Sequence, residues 1–247
     1  MVDTVRSGVC LVIGAGDGLG AALAAAFAAE GLAVCVTRRP RHADALEALA
    51  ARLRGAGASA HAFPLDAREE GEIVGLIARI EREIGPLEVV VFNIGANVRF
   101  ALTETTERVY RKVWEMAALA GFLTIREAAR VMTPRGRGTI LVTGATASLR
   151  GASGFSAFAG AKHALRALAQ SAARELGPKG VHVAHVVVDG AIDGVFTRSM
   201  RADAVEKLAA EEILDPAEIA RNFVHLFRQR RSAWTFEMDL RPYSELW

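Results

Sequence analysis

The residues best suited to chemistry begin at a glycine-rich turn, Gly14-Ala15-Gly16-Asp17-Gly18-Leu19-Gly20, which follows a short apolar run and opens an alanine-rich stretch with helical spacing. Amides at a helix N-terminus point outward together, and glycines keep side chains from their path, so a diphosphate can lie against them. A tight turn with only a packing role is the competing reading. Far downstream Lys162 follows Phe158 by one helical turn, so the two side chains share a helix face. Hydroxyls are plentiful nearby, at Thr143, Thr146, Ser148, Ser153 and Ser156, with Tyr110 on an earlier helical stretch.

Short apolar runs and longer helical patterns alternate along the chain and must position these groups. Strands are expected at residues 9–13, 33–37, 58–64, 87–93, 138–143, 181–188 and 234–239. Helices are expected at 18–30, 42–57, 69–84, 106–132, 155–177 and 216–231. Such alternation predicts an α/β fold, a doubly wound parallel sheet with helices on both faces. Runs such as Val-Val-Val-Phe at 89–92 do not alternate in polarity, as expected of strands covered on both sides. No linker, repeat or low-complexity tract interrupts the rhythm, which predicts one domain over 1–247. Residues 190–214 break it with a flexible start and a helical patch at Val205 and Leu208. A long excursion after a strand's carboxyl end overlies the ligand crevice of this architecture, so it is read as a substrate lid.

The bulk composition narrows the classes. Of 247 residues, 51% are apolar and 23% charged, which suits a globular protein with a large core, and the formal charge of +2 gives no reason to expect a polyanionic partner. Arg228, Arg230 and Arg231 end a helix, where cations meet its dipole favourably. Cys10 and Cys35 each sit inside a strand and read as small hydrophobes. No ligand spacing points to a metal, and no apolar stretch approaches the roughly 20 residues needed to span a bilayer. The expectation is a cytoplasmic protein with a small-molecule partner, and neither nucleic acid nor membrane.

Glycines 14, 18 and 20 with Lys162 far downstream resemble the short-chain dehydrogenase/reductase family, and the similarity extends over essentially the whole chain. It implies a Rossmann-like sheet of seven strands in the order 3-2-1-4-5-6-7. Leu65-Asp66 matches the family's adenine-contacting aspartate, with Ala67 beside it. Phe92-Asn93-Ile94-Gly95 stands where the family has Asn-Asn-Ala-Gly, and Asp189-Gly190-Ala191-Ile192 where Pro-Gly-x-Ile meets the nicotinamide. Ile13 replaces a customary threonine. The implied cofactor set is Gly14, Gly16, Asp17, Gly18, Leu19, Gly20, Arg38, Arg39, Asp66, Ala67, Asn93, Ile94, Gly95, Lys162, Gly190 and Ile192. NAD-preferring members carry an acid after the second strand, whereas Thr37-Arg38-Arg39 stands here. Guanidinium groups can pair with a 2′-phosphate, so NADP(H) is expected over NAD(H). Asp17 weighs against it, and an exposed charged loop is the alternative.

The same resemblance exposes a gap. The family's tyrosine donates a proton to the substrate oxygen while a lysine four residues on lowers its pKa. Here Phe158 holds the tyrosine position of that tyrosine–lysine motif, Ala145 the serine position and Ala118 the asparagine position, which marks an atypical subgroup. Lys162 alone remains. Thr146 is the leading substitute hydroxyl, beside the vacated serine position. His163 points about 100° away from Lys162 around the helix and reads as structural. Asp189 and Asp193 either face substrate or form turns. Arg99 either reaches over the pocket toward an anionic substrate or is an exposed loop residue. Two functions follow: an oxidoreductase moving hydride between NADP(H) and a carbonyl, alcohol or related compound with an unusual proton source, or a dinucleotide-binding protein without turnover. Family habit implies a homodimer or homotetramer.

Overall fold

The computed structural model describes residues 8–245. Seven strands form one parallel sheet, β1 (Val9–Ile13), β2 (Ala33–Arg38), β3 (Ala60–Pro64), β4 (Leu87–Phe92), β5 (Gly138–Thr143), β6 (Val181–Val188) and β7 (Glu237–Leu240), in the order β3-β2-β1-β4-β5-β6-β7. The expected topology is therefore observed. Every residue of β1 and β6 is buried, which accounts for the unbroken apolar run of β1, while β6 buries His182 and His185 among its apolar residues.

Because successive side chains leave opposite faces of a strand, two cores form. On one face Cys10, Val12, Val34, Val36, Val89 and Val91 meet helices α1 (Leu19–Ala29), α2 (Ala43–Gly55) and, near the chain's end, Pro216–Arg228. On the other, Leu11, Ile13, Val90, Phe92, Ile140 and Val142 meet α3 (Glu70–Glu83) and two helices whose central portions are Ala120–Met132 and Ser156–Leu176. Cys10 and Cys35 lie in these cores as free thiols, and burial pushes Cys35 up to about 12.

The expected helix over 106–132 is three segments in succession. Thr106 caps α4 (Glu107–Trp114), a π-helical turn follows at Glu115–Leu119, and α5 (Ala120–Met132) completes it. The wider turn falls on the Ala117-Ala118 pair. Ser156–Leu176 is α6. The excursion after β6 holds two short helices, α7 (Val195–Met200) and α8 (Ala204–Ala209), before α9 (Pro216–Arg228). Its base is closed by a parallel bridge between Ile192 and Leu214. The last strand starts later than expected, at Glu237, after a 3-10 turn at Arg231–Ala233, and Trp234 stacks on His182 with ring centres 4.9 Å apart. Among the described residues no helix is long and apolar enough to cross a membrane.

Candidate functional site

The glycines of the first turn divide into two kinds. Gly14 has φ +96°, and a Cβ there would stand 2.8 Å from the Asn93 carbonyl oxygen. A Cβ on Gly20 would come within 2.6 Å of Ala15 Cα, so its absence lets α1 pack onto the end of β1. Gly16 and Gly18 face open ground instead: added Cβ atoms would meet only Arg38 at 3.9 Å and the Asp193 carbonyl at 3.5 Å. The Asn93 side chain donates from Nδ2 to the Gly14 carbonyl at 3.1 Å and holds the turn. Among the described residues no backbone acceptor takes the amides of Asp17, Gly18 or Leu19. Free donors beside side-chain-free positions are what a diphosphate requires, so these residues fit one.

At the end of β2, the Arg38 guanidinium lies 3.7 Å from Asp17 Oδ1. Arg39, next along, makes no ion pair among the described residues; burial first, then Arg41, lowers its pKa. Asp66 accepts from Arg68 Nε at 2.9 Å and from Nη2 as well, which holds its carboxyl below the usual range. Ala67 is buried beside it. The sequence reading missed this pairing, although an arginine two positions after an aspartate in a loop was the signal available.

Lys162 projects from α6 between the ends of β4 and β5. Its Nζ donates to the Thr143 carbonyl at 2.9 Å and to the Ile94 carbonyl at 3.2 Å. The side chain is 2% exposed, and burial lowers its pKa from 10.5 to about 8. Gly95, next to Ile94, is exposed. The Phe158 ring centre lies 6.0 Å from Nζ, within an apolar cluster that includes Ala96, Val113, Ala117 and Ala147, with Ala145 packed against it. Ala118 is buried in the π turn. The tyrosine and serine positions thus border hydrocarbon.

Two of the substitute hydroxyls have other engagements, whereas those of Thr143 and Ser156 are buried with no hydrogen-bond partner among the described residues. Thr146 donates to Asp189 Oδ1 at 2.5 Å, and buried Ser148 accepts from the Ala145 amide at 3.1 Å. His163 places Nδ1 2.9 Å from the Ala159 carbonyl on an exposed face, in keeping with a structural role. Asp189 is 1% exposed and lies 3.5 Å from Arg150 and 3.8 Å from Arg241.

Gly190 has φ +150°, and a Cβ would reach 2.8 Å from Pro242. Ile192 is fixed by its bridge to Leu214. Asp193 is clamped by Arg198 at 2.8 and 2.7 Å, which lowers its pKa. One juxtaposition was not foreseen: the Asp193-Gly194 backbone lies against Gly18, so the loop after β6 borders the first glycine turn. The strand ends of β1, β2, β4, β5 and β6 therefore contribute to one edge of the sheet. Among the described residues no three metal-ligating side chains stand together.

The short chain dehydrogenase family model matches residues 8–205, and the chain belongs to the short-chain dehydrogenase/reductase family. A crystal structure of a short-chain dehydrogenase from Rhodopseudomonas palustris is 47% identical, with a TM-score of 0.82 over 96% of this chain and 99% of that one. The short-chain dehydrogenase/reductase eriH of Hericium erinaceus is 33% identical over 70% of each protein. The 3-oxoacyl-acyl-carrier-protein reductase MabA of Mycobacterium avium is 30% identical over 85% of this chain and 78% of its own length.

Proposed function

We propose that this protein is an NADP(H)-dependent oxidoreductase that moves a hydride between the nicotinamide and a small carbonyl, alcohol or related compound, without a phenolic acid. The observation that carries the reading is the cradle at Gly16 and Gly18, with unclaimed amides at residues 17–19. When bound there, the dinucleotide supplies or accepts the hydride. Lys162 is suited to hold its ribose, and Gly190 to Ile192 to border the nicotinamide. Arg38 and Arg39 favour a 2′-phosphate, since no carboxylate ends β2. Asp17 competes for Arg38 and reduces that preference.

The hydrocarbon around Phe158 shapes the chemistry. A positioned general acid is worth about 10²–10⁴-fold, so simple ketones would react slowly here. Faster substrates would bring their own proton source or admit an ordered water. The same lining favours a second reading, a dinucleotide-binding protein without turnover. We also take residues 190–214 as a substrate lid and a homodimer or homotetramer as the assembly.

Fluorescence titration with NADPH and NADH, followed by a screen of carbonyl compounds under NADPH, tests the proposal. NADPH binding at least about tenfold tighter than NADH, roughly one charged contact's worth, is expected. Hydride transfer to any member of the panel supports the enzyme; tight binding with none favours the second reading. Failure of both nucleotides to bind removes both.

A further inference from the structure

Arg99 lies on the loop after β4, where it meets the loop between β5 and α6. The Phe100 amide donates to the Gly154 carbonyl at 2.9 Å and clasps the two loops together. Gly154 has φ +83°, and a Cβ there would stand 3.1 Å from Arg99 Cγ, so glycine serves both the turn and the arginine's stem. The guanidinium is carried over the Phe155 ring, 5.8 Å from its centre. Between the loops is a cavity of about 610 Å³ whose walls include Arg99, Phe100, Leu102, Glu104, Ser153 and Ser156. That volume lies in the range of small-molecule sites.

Two features of this cavity set its chemistry. Arg99 has no carboxylate partner among the described residues, whereas Arg150, on the loop after β5, and Arg198, on α7, are tied to Asp189 and Asp193. Phe100 and Leu102 expose 42% and 75% of their surfaces. A cation without an anion, two serine hydroxyls and uncovered apolar side chains suit a ligand with a carboxylate at one end and a hydrocarbon body. Ser156 opens α6 two residues before Phe158, which puts the cavity next to the apolar cluster. Glu104 is also in the wall and opposes an anion.

We propose that the cavity between the loops at 99–104 and 152–156 binds a carboxylate-bearing apolar compound, with Arg99 as its anion contact. As the substrate site of an oxidoreductase, this rests on the function proposed above; as a binding site, it stands apart from it.

The test is an NMR titration of the isotope-labelled 247-residue chain with phenylacetate and its uncharged counterpart phenylacetamide, following the Ser153 and Gly154 amides. Phenylacetate is expected to bind about tenfold tighter than the amide, the size of one charge-assisted contact. Arg99→Gln should erase that preference, and Glu104→Gln should strengthen it about twofold by removing a repelling charge. Two exposed substitutions with opposite signs are not explained by a general loss of folding. Equal affinity for the two compounds, or a preference that survives Arg99→Gln, overturns the proposal. NADPH titration of the same sample is read separately: phenylacetate binding without nucleotide binding keeps this site and discards the cofactor reading.

Discussion

Lys162 Nζ lies 6.0 Å from the centre of the Phe158 ring, one helical turn away, and donates instead to the Thr143 and Ile94 carbonyls. An ammonium that would otherwise act on a phenol ties together the ends of two strands. The first consequence concerns the missing hydroxyl. Phe158→Tyr places a phenol on the same helix face as Lys162, whose charge would favour its ionised form. The expected gain in kcat/KM for carbonyl reduction with NADPH is about 10-fold or more, below the full range for a positioned acid because Ala145 and Ala118 still lack their polar groups. Adding Ala145→Ser should raise it further. No gain for either variant across a broad carbonyl panel would mean the pocket is not shaped for this reaction.

Lys162 also makes stability depend on pH. The ammonium titrates near 10.5 when exposed and near 8 when buried in the folded chain. Between those values the unfolded chain binds more protons, so this residue's contribution makes stability rise with pH through that window. Below about 8 the cost of burying the charge is present in full. Lys162→Met lacks the titration, so wild type should gain roughly 3 kcal/mol relative to it between pH 8 and 10.5. Urea unfolding of both proteins at matched pH measures this. A constant difference across the window would refute the buried ammonium.

The glycines of the first turn should separate folding from binding. Gly20→Ala pushes a methyl into the Ala15 backbone and should destabilise the fold by about 2 kcal/mol or more. Gly16→Ala meets only the end of Arg38 and should leave the melting temperature within about 2 °C. Its methyl would nevertheless stand where a diphosphate approaches the free amides. NADPH affinity should therefore fall at least about tenfold in Gly16→Ala. Undiminished affinity in that variant would show that the nucleotide does not use this turn.

On the function proposed above, Arg38 and Arg39 would carry the choice between nicotinamide nucleotides. Arg39→Ala should weaken NADPH about tenfold and leave NADH within about twofold, because only the former carries the 2′-phosphate. Asp17→Asn should act in the opposite direction, since it frees Arg38 from its carboxylate neighbour 3.7 Å away. Parallel titrations with both nucleotides decide the matter. Equal losses for NADPH and NADH in Arg39→Ala would place the arginine away from the phosphate.

Much was legible in the residues alone. Strand and helix periodicities are local, so the alternation, the parallel sheet and the glycine turn could be read before any coordinates. The order of the strands came from the family resemblance and was borne out. The absence of a phenol at residue 158 is likewise a matter of side-chain identity. Bonds between distant segments were not legible. Thr146 looked like the best substitute hydroxyl, yet the fold brings Asp189, 43 residues on, within hydrogen-bond distance of it. The loop at Asp193-Gly194 came to rest against Gly18, and the clasp between Phe100 and Gly154 borders an open cavity beside Arg99. Sequence therefore determined which chemical groups are present and which are missing. Tertiary packing decided which of them face one another, because partner choice depends on distances that no local pattern encodes.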